Sequence, residues 1–158
     1  MEIHTLIDLL EYRAEVSGDK TAYTFQGKST TFKYLWDQVN QFASLLLEKK
    51  IKKQECVVIA LPNSAEFFFA FYGAQRAGGI AVPLFPASSA ERIASIAEAC
   101  EARIVVLPDD SPKKSELEEK GLVVLECKSL LLQNELADDF PKVQRDDIAF
   151  LQYTSGST

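Results

Sequence analysis

Cys56-Val57-Val58-Ile59-Ala60-Leu61 is an unbroken apolar run, followed at once by Pro62-Asn63-Ser64 and then by Ala65-Glu66-Phe67-Phe68-Phe69-Ala70-Phe71. A strand with one face in water alternates apolar and polar residues. A run without alternation belongs to a strand covered on both faces, as in a parallel sheet. The proline and its polar neighbours end the run, and Asn63 with Glu66 has the capping-box spacing that opens a helix. That helix extends to about Ala77, where Gly78-Gly79 stops it. Phenylalanine on most of its sides predicts that it is buried.

The same unit recurs downstream. Ile80 to Leu84 reads as a short strand carrying Pro83, and Ser88 with Glu91 repeats the capping spacing. A helix then runs to about Glu101 with Ile93, Ile96, Ala97 and Cys100 facing inward. Arg103 to Leu107 is a second buried strand, and Pro108 to Lys120 is a charged loop with one surface helix. Leu122 to Glu126 is a strand, Lys128 to Leu136 a helix, and Ala137 to Asp147 a surface connection. Ile148 to Tyr153 is the last strand. Alternation of strand and helix from residue 56 onward predicts an α/β fold with right-handed parallel crossovers. Upstream, Thr5 and Asp8 cap a helix reaching Val16. Thr21 to Phe25 and Ser29 to Thr31 flank a hairpin turn at Gln26-Gly27-Lys28. An amphipathic helix covers about Phe32 to Lys49.

The chain has 158 residues, enough for one domain with a real core. Its net charge of −6 argues against nucleic acid or an anionic membrane surface as a partner. Three scattered cysteines and a single histidine, His4, give no zinc-ligand spacing. They fit reduced core thiols in a reducing, cytoplasmic setting. No signal peptide is legible at the N-terminus, and the most apolar stretch, Ala65 to Ala74, is too short to span a bilayer. One histidine near the terminus supports no Ser–His–Asp or Cys–His arrangement. The pairs Asp109-Asp110, Asp138-Asp139 and Asp146-Asp147 read as solvated loop acids. The aromatic run Phe67 to Tyr72 reads as core, with an acyl-pocket lining as the sharper alternative.

The last strand runs into Thr154-Ser155-Gly156-Ser157-Thr158. By composition this is a polar turn, since serine, threonine and glycine are common there. A loop of this kind can also wrap a phosphate, because glycine lets the backbone approach and hydroxyls and amides donate to anionic oxygens, though composition alone favours the turn. It is not a Walker A loop, lacking the G-x-x-x-x-G-K-[ST] pattern. Its place after a strand of an α/β chain favours the ligand reading, because ligands bind at the carboxyl ends of such strands.

Three ordered stretches resemble one family. Tyr153-Thr154-Ser155-Gly156-Ser157-Thr158 is similar to the start of the phosphate-loop signature of acyl-adenylate-forming (AMP-binding) enzymes. Thr31-Phe32-Lys33-Tyr34-Leu35-Trp36 resembles that family's T-[FY]-x-[ED]-L segment, departing at Tyr34. Arg76-Ala77-Gly78-Gly79-Ile80-Ala81-Val82-Pro83-Leu84 resembles its K-A-G-x-x-x-V-P-[LI] segment, and Leu61-Pro62-Asn63-Ser64 also matches acyl-CoA synthetases. Gln152 to Thr158, after Ala149-Phe150-Leu151, is most similar to fatty acyl-AMP ligases, with fatty acyl-CoA synthetases close behind.

The resemblance implies the N-terminal subdomain of the adenylate-forming fold, a mostly parallel sheet flanked by helices. It implies ATP-dependent activation of a carboxylic acid, of the fatty class, to an acyl-adenylate, with Mg2+ and ATP as cofactors. The acyl group then passes to CoA or to the thiol of an acyl carrier protein. An amino- or aryl-acid adenylation domain of an assembly line is the alternative, and a non-catalytic binding protein retaining this subdomain is another. On the matching positions, Thr154, Ser155, Gly156, Ser157 and Thr158 would hold the ATP phosphates. No position is assigned as catalytic or metal-binding. The family's loop continues with G-x-P-K-G, so residues 1–158 read as a partial N-terminal domain, truncated within the phosphate loop. The isolated 158-residue chain is therefore expected to show no ATP–pyrophosphate exchange with any carboxylate. A stoichiometric exchange signal from pure chain would contradict that reading.

Overall fold

A computed structural model of the chain describes residues 2–130 and 135–154. The chain opens with helix α1 (Leu6–Ser17), hairpin strands β1 (Thr21–Phe25) and β2 (Lys28–Thr31), and the long helix α2 (Phe32–Glu48). Alternation follows: β3 (Cys56–Ile59), α3 (Ala65–Arg76), β4 (Ile80–Pro83), α4 (Ala90–Ala99), β5 (Ile104–Leu107), α5 (Lys114–Glu119), β6 (Val123–Glu126) and a single turn, α6 (Cys127–Leu130). The main sheet has the order β4-β3-β5-β6, and every pairing in it is parallel.

The apolar runs explain the layering. Every residue of β3 and β5 is buried, and their side chains divide between two cores. Val57, Ile59, Ile104 and Val106 pack with Phe42, Leu46, Ala70 and Ala74 of α2 and α3 on one face. Val58, Val105 and Leu107 pack with Ile93 and Ile96 of α4 and Leu117 of α5 on the other. Period-two alternation along each strand thus feeds two helical layers from one sheet. A third cluster, around Leu10, Leu35, Val39 and Phe69, fastens α1 and the hairpin to the α2–α3 pair.

Several local details differ from the sequence expectation. Ser64, not Asn63, caps α3 by accepting the Phe67 N–H at 3.2 Å. Ser89, not Ser88, caps α4, accepting the Arg92 N–H at 3.1 Å. In both cases adjacent polar residues offered two starts, and the helix takes the later one. At Thr5 the expected capping box is present, with Asp8 returning the bond to the Thr5 N–H. Of the helix expected over Lys128 to Leu136, α6 supplies the start, residues 131–134 lie outside the described residues, and Glu135 and Leu136 are not helical.

The last expected strand, Ile148 to Tyr153, is reduced to one parallel bridge between Phe150 and Ala81 on the outer side of β4. Ala81 N–H donates to the Ala149 carbonyl at 3.1 Å, and Leu151 N–H donates to the Ala81 carbonyl at 2.9 Å. Past the Leu151 bond the next donor would be Pro83, which has no N–H. Before the Ala149 bond, Gly79 gives its N–H to the Ala74 carbonyl that ends α3 and not to this segment.

Helices α2 and α3 meet closely at Gly73, where an added Cβ would lie 2.5 Å from Phe42 Cδ1 and 2.9 Å from Phe42 Cβ. A ring can turn away, but a Cβ cannot. Gly73→Ala is therefore expected to lose about 1–2 kcal/mol of stability, overpacking outweighing the gain in helix propensity. A urea midpoint at or above wild type would contradict this.

Candidate functional site

The segment that leads to the hydroxyl loop is fixed residue by residue. Asp147 closes a turn on Gln144: its N–H donates to the Gln144 carbonyl at 3.1 Å, and its Oδ2 accepts the Gln144 N–H at 2.8 Å. Its other oxygen pairs with Lys53 Nζ at 3.1 Å, and the carboxylate is only 12% exposed. The Gln144 N–H bond, and then Lys53, hold its pKa below the ordinary 3.8 against the opposing effect of burial. Ile148 is gripped through its backbone. Its N–H donates to Gln54 Oε1 at 2.8 Å, and its carbonyl accepts from Gln54 Nε2 at 3.3 Å. Gln54 in turn donates its own N–H to the Gly78 carbonyl at 2.7 Å. Gly78 has φ +80°, and Pro141 packs where its side chain would be.

Beyond Ile148, side chains alternate as in a strand. Phe150 meets Phe71 of α3, ring centroids 5.6 Å apart, on one face of the sheet. Leu151 and Tyr153 pack against the α4 core on the other. Because Phe150 runs parallel to Ala81, Thr154 emerges at the carboxyl end of β4. That is the end of an open α/β sheet where ligands bind. It is an exposed position. The other expected phosphate-loop residues, Ser155, Gly156, Ser157 and Thr158, lie outside the described residues. The topological switch point falls between β3 and β5, since the chain moves outward from β3 to β4 and then crosses to β5 and β6. Thr154 therefore stands at the edge of the described sheet, two strands from that crevice.

The neighbouring loops contribute less than their composition suggests. The Ser64 and Ser89 hydroxyls are committed to helix caps. Phe85, in the loop after β4, is 74% exposed, and Lys113 Nζ donates to the Pro86 carbonyl at 2.8 Å. His4 is exposed and sits 3.1 Å from Glu2, and the neighbouring Thr5 hydroxyl is committed to capping α1. Burial pushes the Cys56 and Cys127 thiols up to about 12, so both stay protonated and inert at neutral pH. Asp109 accepts the Lys128 N–H, and Asp110 pairs with Lys128 Nζ at 3.3 Å. Phe69 is core, whereas Phe68 and Tyr72 line a groove with Leu6, Leu9 and Arg13 on the far side of α3.

Among the described residues, no group of three or more His, Cys, Asp and Glu could hold a metal ion. No helix among them is long and apolar enough to cross a membrane.

Parallel sheet and flanking helices together describe an α/β unit whose last described residue, Thr154, stands at the carboxyl end of β4. The chain belongs to the AMP-binding enzyme family, whose sequence signature matches residues 10–158. It is 33% identical over 155 residues to bacitracin synthase 2 of Bacillus licheniformis, covering 98% of this chain and 6% of that protein. It superposes on the inhibitor-bound N-terminal domain of FACL13 from Mycobacterium tuberculosis with a TM-score of 0.84 and 26% identity, covering 98% of this chain and 42% of that one. The Mycobacterium tuberculosis fatty acyl CoA synthetase gives a TM-score of 0.78 at 26% identity, over 94% of this chain and 32% of that one. The chain thus spans less than half of each of these relatives.

The segment carries a pH signature. A carboxylate held below its ordinary pKa contributes stability above that value and loses it as pH falls through the lowered one. The Gln144 amide proton, bonded to Asp147, is expected to titrate with a midpoint below 3.8, and Asp147→Asn to abolish the titration. An NMR midpoint at or above the ordinary value would contradict the pairing.

Proposed function

We propose that the protein activates a carboxylic acid with ATP. A carboxylate oxygen attacks the α-phosphorus, an oxygen–phosphorus bond forms, and pyrophosphate leaves with the electrons of the broken anhydride bond. A thiol sulfur then attacks the acyl carbon of the adenylate and AMP departs. The observation that carries this reading is the delivery of Thr154 to the carboxyl end of a parallel sheet, in a chain that belongs to the AMP-binding family. Thr154, with Ser155, Gly156, Ser157 and Thr158, would bind the ATP phosphates through hydroxyl and amide donors. In such transfers the protein works by positioning and by charge stabilisation. Residues 1–158 are the front part of the catalytic domain in this reading.

For the acid we propose the fatty class, passed to CoA or to an acyl carrier protein thiol. Similarity at 26% identity to a fatty acyl CoA synthetase supports it. A second reading, amino- or aryl-acid activation within an assembly line, is supported by bacitracin synthase 2, a polypeptide so large that this chain's match covers 6% of it.

The test is acid-dependent ATP–pyrophosphate exchange by the full-length gene product against fatty, aryl and amino acids. Exchange with medium- or long-chain fatty acids is expected, and exchange confined to amino acids would select the second reading. Thr154→Ala is expected to lower kcat/KM for ATP by about tenfold or more, the loss of one donor to an anionic oxygen. No exchange with any acid would sink the proposal.

A further inference from the structure

We propose that Gln54 is the positioning residue for the phosphate loop, its carboxamide setting the register of the segment that carries Thr154. The inference rests on the adenylation reading only for what the loop binds, and the tether itself stands on geometry. Gln54 and Ile148 are 94 residues apart, yet the Gln54 side chain satisfies both backbone groups of Ile148, accepting from its N–H and donating to its carbonyl. A carboxamide is a peptide group on a side chain, so it can treat Ile148 as a neighbouring strand would. It does so just before the point where β4 takes over through Ala81.

The backbone at Gln54 is disfavoured for its residue type. Its φ is +60°, the left-handed region that glycine enters freely and other residues avoid. A turn that needed only this conformation would be better served by glycine. Glutamine here accepts strain and places both ends of its amide on Ile148. Its flanks act on the same segment: Lys53 pairs with Asp147, and the Gln54 N–H is fixed by Gly78. The turn before β3 is therefore anchored to the end of α3, and from there it holds residues 147 and 148. The pair of bonds to Ala81 and the packing of Phe150, Leu151 and Tyr153 follow before the chain reaches Thr154. A shift at Ile148 would pass along this segment to Thr154.

Gln54→Gly separates strain from tether, because it relieves the backbone while deleting the amide. In the full-length protein this variant is expected to keep or raise Tm. Amide hydrogen exchange at Ile148 and at Leu151 is expected to accelerate by about tenfold, the factor lost with one net hydrogen bond. The KM for ATP is expected to rise by a similar factor, while the KM for the carboxylic acid stays unchanged. Acceleration at Ile148 alone would overturn the proposal, since Gln54 would then not set the register beyond its own contact. An unmoved KM for ATP despite faster exchange at Leu151 would also overturn it. A wild type without acid-dependent pyrophosphate exchange would sink the adenylation reading, and the exchange rates at Ile148 and Leu151 would still decide the tether.

Discussion

Two hydrogen bonds at Ala81, one from its N–H to Ala149 and one to its carbonyl from Leu151, join the last described segment to the sheet. Everything proposed for Thr154 depends on them. They make the segment parallel to β4, and parallel direction sends Thr154 to the carboxyl end of the sheet. An antiparallel segment would deliver the same hydroxyls to the opposite end. Net worth is modest, about 1 kcal/mol for each such bond, so the packing around them matters. Phe150 on Phe71 and Leu151 and Tyr153 on the α4 core clamp the segment from both faces.

That clamp exists because the sheet is covered twice. β3 and β5 carry apolar side chains on both faces, and each face needs its own helices. Helices α2 and α3 cover one face and α4 and α5 the other. An edge segment laid beside β4 then finds apolar surface above and below. Arg76, sandwiched between Trp36 and Phe140 at 5.0 and 4.4 Å, fastens the incoming 137–147 connection to the same α2–α3 layer. The connection, the turn at Gln54 and the end of α3 therefore together seat the residues before Thr154.

The central fold was legible because its signals are local. Unalternating runs at Cys56 to Leu61 and Arg103 to Leu107 announced buried parallel strands, and Thr5 with Asp8 announced a capping box that is present. The caps at Ser64 and Ser89 were placed one residue early, because neighbouring polar residues carry the same signal. The last strand was overestimated for a non-local reason: it lies beside β4, where Pro83 lacks the N–H that the next bond needs. The grip of Gln54 on Ile148 had no signal at all. A glutamine in a charged turn reads as solvated, and only tertiary geometry brings it to a backbone 94 residues away. The motif at Tyr153 to Thr158 was readable as residue types, whereas the place to which the fold delivers it was not.

The most direct measurement is nucleotide mapping by NMR on the full-length protein, with backbone amides labelled and ATP added. The account predicts that the Tyr153 and Thr154 amides shift on binding, while those of the groove between α1 and α3, at Leu9 and Tyr72, stay still. Saturable shifts at the groove with Thr154 unmoved would contradict it, because the nucleotide would then sit away from the carboxyl end of the sheet.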